Sequence, residues 1–244
     1  MNIILKSIAS CVAITSFAMT ATAGTQDASP VIFCNVAASE NGVTPTGIYS
    51  FKPDFDLEFE AVKTDPDIVG SRGAVYVDGK YEVVNMMSHY TYDTNGWERI
   101  HECRLGWPAM MEMAAEAVTW DPVTGNVYGC FLTTSQSYRI ATVDYQNNSV
   151  TEIRDIGSDS YVACMFTDKE GTLYGILTTG DLVRIDKTTG EFDVIGNLGM
   201  TPAGYQGAVC DPATGNVYWA ASADGSHGLY EVCLLYTSPS PRDS

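Results

Sequence analysis

The three histidines of this 244-residue chain, His89, His101 and His227, are the first side chains to consider for metal binding or acid–base chemistry. No His-x-x-x-His spacing occurs, and the repeat pattern described below assigns the three to different repeats, so the sequence predicts no metal site. It also contains no Gly-x-Ser-x-Gly elbow, no P-loop and no dinucleotide-binding fingerprint. We therefore predict no catalytic residues and identify no cofactor, and enzymatic activity is less favoured than binding.

The seven cysteines indicate packing rather than catalysis. Two lie near the chain ends, which leaves an odd number of internal thiols and no complete disulfide framework. Three of these lie in apolar runs and are interpreted as small buried hydrophobes. The sequence leaves the disulfide state of the internal five open: Cys34, Cys103, Cys130, Cys164 and Cys210.

The net charge of the chain limits the kinds of ligand and partner that it can bind. The chain has 13 basic and 30 acidic residues, for a net charge of −17. A non-specific nucleic-acid binder needs Lys and Arg to displace counterions from phosphates, so this class is excluded. Docking on anionic lipid is disfavoured for the same reason. Neutral or cationic ligands are favoured over anionic ones.

The N-terminal residues 1–23 have the pattern of a secretory signal peptide. Lys6 precedes an apolar and small-residue stretch, Ser7–Met19, and Ala21 and Ala23 suit a signal peptidase. The stretch is too short to span a membrane. A short buried helix and a lipoprotein modified at Cys11 are the less favoured alternatives. We expect a secreted or periplasmic protein without membrane insertion.

The C-terminal residues 233–244 are interpreted as non-native. The segment Cys233–Asp243 resembles the translation of a transposase-based sequencing adapter. The alternative is a natural Ser/Pro-rich tail. The native part of the sequence would then be residues 24–232, an incomplete domain.

The middle of the chain is repetitive. Asp121–Tyr128 recurs as Asp211–Tyr218 with seven of eight residues identical, and variants begin at Asp78 and Asp168. The leading aspartates are separated by 43, 47 and 43 residues. A period in the forties that contains four short runs rich in Val, Ile, Tyr and Thr is typical of a β-propeller blade. The predicted fold is all-β: a partial β-propeller of four to five four-stranded antiparallel blades.

The turn residues explain the motif. Asp caps the amides of its own turn, Pro fixes φ, and Gly supplies a positive φ, which we predict at Gly125 and Gly215. The turns that begin at Asp93 and Asp186 follow the same logic. Calcium binding by these aspartates is less favoured, because they recur once per hairpin and no second carboxylate lies at an EF-hand offset.

The segment Leu182–Gly196, with its Asp-Lys-Thr-Thr-Gly turn followed by Ile-Gly, resembles secreted bacterial β-propellers of the YVTN and quinoprotein-like kind. The resemblance covers about Ala28–Val232. It implies that Val31–Ala37, Gly47–Phe51 and Leu57–Lys63 are the second to fourth strands of a first blade without its innermost strand. Families of this pattern supply that strand from the C-terminus, so we expect an open arc of a six- to eight-bladed ring. The tryptophan pattern of quinone-dependent dehydrogenases is absent.

The predicted site lies where variable loops share one face. The blade phase assigns residues 64–72, 104–115, 156–160 and 197–205 to that face, over the channel mouth. Within 104–115, Trp107 would provide flat apolar area, although a plug of apolar side chains is the alternative. Arg72 and Glu116 would either orient a polar ligand or pair with each other. The remaining candidate ligand-binding residues are Tyr161, Tyr205 and Gln206.

The function expected from this pattern is an exported binding or scaffold protein that recognises a glycan, peptide or protein partner. The alternative is a metal-assisted hydrolase or lactonase at the channel mouth, which predicts several carboxylates there. A redox enzyme or lyase has no positive support.

Expression of the gene with a C-terminal tag tests export. We expect the exported fraction to contain a chain that begins at Gly24, since the small residues Ala21 and Ala23 suit cleavage there. N-terminal sequencing after cell fractionation is the measurement. An uncleaved product retained in the cytoplasm would refute the prediction.

Overall fold

The computed structural model describes residues 6–7, 12–19, 30–39, 44–53, 57–106 and 113–234, which form twenty strands in five four-stranded antiparallel sheets. These sheets are the blades of a propeller, so the predicted all-β fold is confirmed. In chain order the strands are β1 (Lys6–Ser7), β2 (Val12–Met19), β3 (Ile32–Ser39), β4 (Gly47–Phe51), β5 (Glu60–Thr64), β6 (Gly73–Val77), β7 (Lys80–Asn85), β8 (Ser88–Asp93), β9 (Glu98–Arg104), β10 (Met113–Trp120), β11 (Val127–Thr133), β12 (Tyr138–Asp144), β13 (Ser149–Gly157), β14 (Val162–Thr167), β15 (Leu173–Leu177), β16 (Asp181–Ile185), β17 (Phe192–Asn197), β18 (Pro202–Cys210), β19 (Val217–Ala223) and β20 (Ser226–Val232).

Each blade runs outward from an apolar strand to a polar one. Every residue of the innermost strand β14, Val-Ala-Cys-Met-Phe-Thr, is buried. In the outermost strand β9, Glu-Arg-Ile-His-Glu-Cys-Arg, no residue is buried. A strand covered on both faces needs a continuous apolar run, whereas an outer strand tolerates charge. The composition of each run therefore sets its distance from the axis.

The ring is closed, which corrects the expected open arc of a six- to eight-bladed ring. The five innermost strands, β2, β6, β10, β14 and β18, contact one another in sequence around the axis, including β18 with β2. Five apolar clusters fill the five spaces between neighbouring blades. The first blade obtains its innermost strand from Val12–Met19, the stretch interpreted as a signal sequence, and β1 completes the fifth blade. An apolar, small-residue run suits either role.

Most strand assignments from the sequence are confirmed. Gly47–Phe51 is β4 as predicted, and the three predicted strands of the first repeat are β3, β4 and β5. Of the predicted variable loop 104–115, residues 113–115 belong to β10, which begins at Met113. The helix of the described region is a 3₁₀ turn, Pro66–Ile68, capped by the Asp65 carboxylate.

The five-residue Asp turns share one geometry, whereas in the shorter Asp168 turn the amide of the fourth residue, Gly171, donates to the aspartate carbonyl at 3.0 Å. Gly125 has φ +75° and Gly215 has φ +80°, so the predicted positive φ is confirmed. The amide of the fifth residue donates to the carbonyl of the leading aspartate, for example Gly125 N to Asp121 O at 2.9 Å. In two turns the fifth residue is not glycine, and Trp97 (φ +56°) and Asn148 (φ +52°) adopt the left-handed conformation instead. The Asp93 turn thus differs from prediction, since its Gly96 precedes the left-handed position.

One Asp turn connects two blades. Asp121 is fully buried, and its carboxylate accepts the amides of Val123 and Thr124. Lys187, in the β16–β17 turn of the next blade, donates to Asp121 Oδ2 at 2.8 Å and to the Gly171 carbonyl at 2.8 Å. Burial raises the pKa of Asp121, but the hydrogen bonds from Lys187 and the turn more than offset it, so the pKa lies below its ordinary value.

The substitution Asp121→Asn should lower the free energy of unfolding by about 2 kcal/mol at neutral pH, because charge-assisted hydrogen bonds are lost. A carboxylate with a depressed folded pKa stabilises the fold above its unfolded pKa of about 3.9, and this contribution disappears as the pH falls through the folded pKa. The difference between wild type and Asp121→Asn should therefore shrink on acidification. Urea denaturation at stepwise lower pH measures it.

Asp211→Asn is the matched control. Asp211 caps the equivalent turn of the fifth blade through Ala213 and Thr214, and no lysine contacts it in the described region. This substitution should cost about 1 kcal/mol, as for a lost cap. Equal losses in the two variants would show that Lys187 contributes nothing.

Candidate functional site

Four of the predicted site residues meet at one end of the channel. Arg72 immediately precedes β6, Glu116 lies in β10, Tyr161 immediately precedes β14, and Tyr205 lies in β18. They come from four consecutive blades, yet the Arg72 guanidinium pairs with Glu116, lies over the Tyr205 ring and is close enough to Tyr161 to influence the pKa of its hydroxyl. The predicted blade phase is therefore correct at these positions.

Irregularities in the inner strands occur at this end of the channel. The register of β10 against β11 shifts between Ala115 and Ala117, so Glu116 is the extra residue of a bulge. The register of β14 shifts across Ala163, and that of β18 shifts across residues 204–206. A bulge changes the direction of a side chain relative to the regular alternation. In three blades, therefore, the innermost strand stays paired with its neighbour, while the side chains near the channel mouth depart from the regular alternation.

Arg72 and Glu116 form the charged centre of the mouth. Arg72 Nη1 donates to Glu116 Oε2 in an ion pair between neighbouring blades. The Glu116 side chain is only 8% exposed, whereas the Arg72 side chain is 32% exposed. Burial raises the pKa of Glu116 above its ordinary value, and the positive charge of Arg72 opposes that rise. Pairing, one of the two outcomes weighed from the sequence, is thus observed.

Tyrosines surround the ion pair. The Arg72 guanidinium lies 4.8 Å from the centre of the Tyr205 ring, which is a cation–π distance. The Tyr138 and Tyr161 rings stack at 4.4 Å with an interplanar angle of 15°. Burial, followed by the negative charge of Glu116, raises the pKa of Tyr161, so its hydroxyl is neutral near pH 7. Tyr138 was not a predicted site residue. It is the first residue of β12, the third strand of its blade, and only the innermost strands and the variable loops were considered.

Gln206 does not join this group. Gln206 is 4% exposed, and its Oε1 accepts a hydrogen bond from Trp219 Nε1 at 2.9 Å, so it belongs to the interior of the fifth blade. Its Nε2 has no partner in the part of the chain that the structure describes. Trp107 lies outside the described residues, and its role stays a prediction.

An indentation lies at the opposite end of the inner strands. It is lined by Tyr76, Trp120, Val209 and Cys210, among others. This end also carries the Asp121 and Asp211 turns. Its lining is mainly apolar, with Asp168 and Lys169 at its margin. The charged and aromatic groups from several blades meet at the other end, which is the better candidate for recognition of a polar ligand.

The histidines and cysteines are distributed differently from expectation. His89 and His101 lie on the adjacent strands β8 and β9 of one blade, so their assignment to different repeats is wrong. Both histidines lie between the leading aspartates Asp78 and Asp121, so the repeat itself already assigns them to one blade. Cys130, Cys164 and Cys210 are buried free thiols, which confirms their predicted role as packing residues. Cys34 is also buried and free, and Cys103 is half-buried and free. In the described region, no helix is both long and apolar enough to cross a membrane.

Neither a protein-family model nor a curated protein sequence matches the chain. Solved structures do match. Myxococcus xanthus glutaminyl cyclase is similar over 95% of both chains, with a TM-score of 0.62 and 11% identity. The nidogen/laminin complex matches over 86% of this chain and 72% of that chain (TM-score 0.57, 14% identity). A Xanthomonas campestris gluconolactonase matches over 90% and 76% (TM-score 0.54, 9% identity). At these identities the likeness establishes the fold alone: the chain is a five-bladed β-propeller.

Proposed function

We propose that this propeller is a binding protein that recognises a glycan, peptide or protein segment at the Arg72 end of the channel. The observation that carries the proposal is the convergence of side chains from three other blades on the Arg72 guanidinium. An arginine that only joined two neighbouring blades would not need partners from three. Arg72 retains 32% exposure, so part of its donor capacity faces solvent.

The chemistry of the mouth suits a neutral polar ligand with a flat face. Tyr205 and Tyr161 offer rings and hydroxyls at low entropy cost, and the exposed donors of Arg72 suit a carbonyl or hydroxyl oxygen. The Glu116 charge and the net charge of −17 both disfavour an anionic ligand. Neutral oligosaccharides and uncharged or basic peptides fit this description.

The β-propeller similarity to the nidogen/laminin complex supports a binding role in a general way, since the matched chain belongs to a protein–protein assembly. The gluconolactonase similarity represents the enzymatic alternative. A metal-assisted reaction needs several oxygen ligands. The innermost strands β2, β6, β10, β14 and β18 contain one carboxylate, Glu116, and Arg72 pairs with it. Binding is therefore the better supported of the two functions.

A screen of neutral glycans and peptides tests the proposal, with affinities of the hits measured by calorimetry. Tyr205→Ala should weaken binding about tenfold, because it removes a ring from the mouth and the cation–π contact that orients Arg72. Trp107→Ala should weaken binding of the same ligand if the 104–115 loop covers the mouth.

The matched control is Tyr218→Ala. Tyr218 is another half-buried tyrosine of the fifth blade, near the Asp211 turn at the opposite end. This variant should bind like the wild type. If instead Tyr218→Ala loses affinity and Tyr205→Ala does not, the ligand occupies the other end of the channel and the proposed site is wrong.

A second candidate function is acid–base catalysis without a metal. The specific observation is Glu116, a carboxyl whose pKa burial raises and which a bulge sets at the channel mouth. A carboxyl tuned upward can transfer protons near neutral pH. The similarity to a glutaminyl cyclase over 95% of both chains suggests the reaction to try, closure of an N-terminal glutamine with loss of ammonia.

Incubation of the protein with a peptide that has N-terminal glutamine tests this candidate, and mass spectrometry detects the loss of ammonia. An acid–base site predicts turnover that falls at least about 100-fold in Glu116→Gln. Tyr218→Ala again serves as the control and should retain turnover. No turnover by the wild type, or equal turnover by Glu116→Gln, would eliminate this function.

A further inference from the structure

A cluster of nitrogen, sulfur and oxygen atoms lies on the second blade, away from the channel mouth. In the β8–β9 ladder His89 is opposite Cys103, and Thr91 is opposite His101. Side chains alternate between faces along a strand, so His89, His101 and Cys103 lie on the same face. One ligand atom from each of the three lies within 4.8 Å of the others.

His89 is held in one orientation. It is 1% exposed, and its ring stacks on Tyr145 of the third blade at 4.5 Å. Its Nε2 is 2.7 Å from Glu82 Oε2, and this buried carboxylate also accepts the Thr91 hydroxyl at 2.6 Å. A carboxylate that accepts the Nε2 proton leaves the lone pair on Nδ1. This carboxylate–histidine arrangement is the one that orients metal-binding histidines.

The atoms around His89 Nδ1 are lone-pair donors. Nδ1 is 3.1 Å from Asn148 Oδ1 and 3.8 Å from Cys103 Sγ, and the Cys103 thiol donates to the same Oδ1 at 2.8 Å. As a thiolate, Sγ would offer a lone pair instead. Asn148 belongs to the third blade, where it occupies the left-handed position of the Asp144 turn. Its backbone carbonyl accepts the Gly106 amide at 2.6 Å, so the second and third blades are joined beside the cluster. Lone pairs that converge in this way favour a cation between them.

The donor set selects the kind of cation. Imidazole nitrogens and a thiolate suit a borderline-soft divalent metal such as zinc, whereas calcium and magnesium prefer oxygen ligands. A tetrahedral zinc separates its nitrogen and sulfur ligands by about 3.3–3.6 Å, as follows from bonds of about 2.0 Å to N and 2.3 Å to S. The 3.8 Å between His89 and Cys103 is close to that spacing. His101 is exposed, and the centre of its ring lies 5.8 Å from that of His89.

We propose that His89, His101 and Cys103 bind a zinc ion, with Asn148 Oδ1 in the fourth position, and that the ion fastens the second blade to the third. Glu82 is a positioning residue that fixes the His89 ring through Nε2. The site is distinct from the channel mouth and does not depend on the function proposed there.

Metal titration of the untagged protein in a Cys233→Ser background tests the proposal, because Cys233 is a second exposed thiol. After removal of metal by a chelator, the protein should bind one zinc per chain and unfold at a higher temperature with zinc present. Cobalt should give the near-ultraviolet charge-transfer absorption of a thiolate ligand and the visible bands of a tetrahedral site.

Variants separate the ligands from their surroundings. His101→Ala alters an exposed side chain, so it should fold normally while losing the zinc-dependent rise in melting temperature. Cys103→Ser should abolish the thiolate band. Glu82→Gln should keep the ligands but weaken zinc affinity about 10- to 100-fold. His227→Ala, which removes an exposed histidine of the fifth blade, is the matched control and should behave like the background protein.

Three outcomes would overturn the proposal: no zinc bound by the background protein, a cobalt spectrum without the thiolate band, or zinc binding unchanged in His101→Ala.

Discussion

The structure depends on the burial of the two faces of every blade. A sheet such as β14–β17 is apolar on both sides near the axis, and a single sheet cannot remove both faces from water. Neighbouring blades supply the cover, and the five apolar clusters between blades are the result. Each blade therefore needs a neighbour on both sides. An open arc of blades would expose one apolar face of each end blade to water, whereas a closed ring covers the faces of every blade.

Closure also determines where chemistry can be located. In the closed ring the first residues of the innermost strands lie close together. Single residues from several blades therefore meet there, although no local sequence motif marks them. Bulges in β10, β14 and β18 lie at this end of the strands, and the bulge in β10 carries Glu116. The buried Glu116 is tolerable there because Arg72 supplies the opposite charge. The outer strands follow another rule, since cross-strand register alone brings His89, His101 and Cys103 together.

The Asp turns show how a repeated local structure acquires a tertiary role. The capping hydrogen bonds of Asp121 and Asp211 are nearly the same, and both turns need a left-handed fifth residue. Only in the Asp121 turn does a lysine from the next blade reach the carboxylate, within the described residues. At Asn148 the left-handed position holds a side chain that faces His89 and Cys103. The geometry of the turn depends on residues close together in the chain, but the contacts that its side chains make depend on the neighbouring blade.

The sequence by itself determined the blade repeat, the strand order within each blade and the positive φ of Gly125 and Gly215, because these features depend on residues close together in the chain. It also identified Arg72, Glu116, Tyr161 and Tyr205 as neighbours, since a known blade phase converts a repeat position into a place on the ring. Blade number and the innermost strand of the first blade were decided only by the tertiary structure. The run Val12–Met19 suits export and an inner strand equally well by composition. The burial of Gln206 also needed the fold, because it depends on which side of a strand faces a neighbouring sheet.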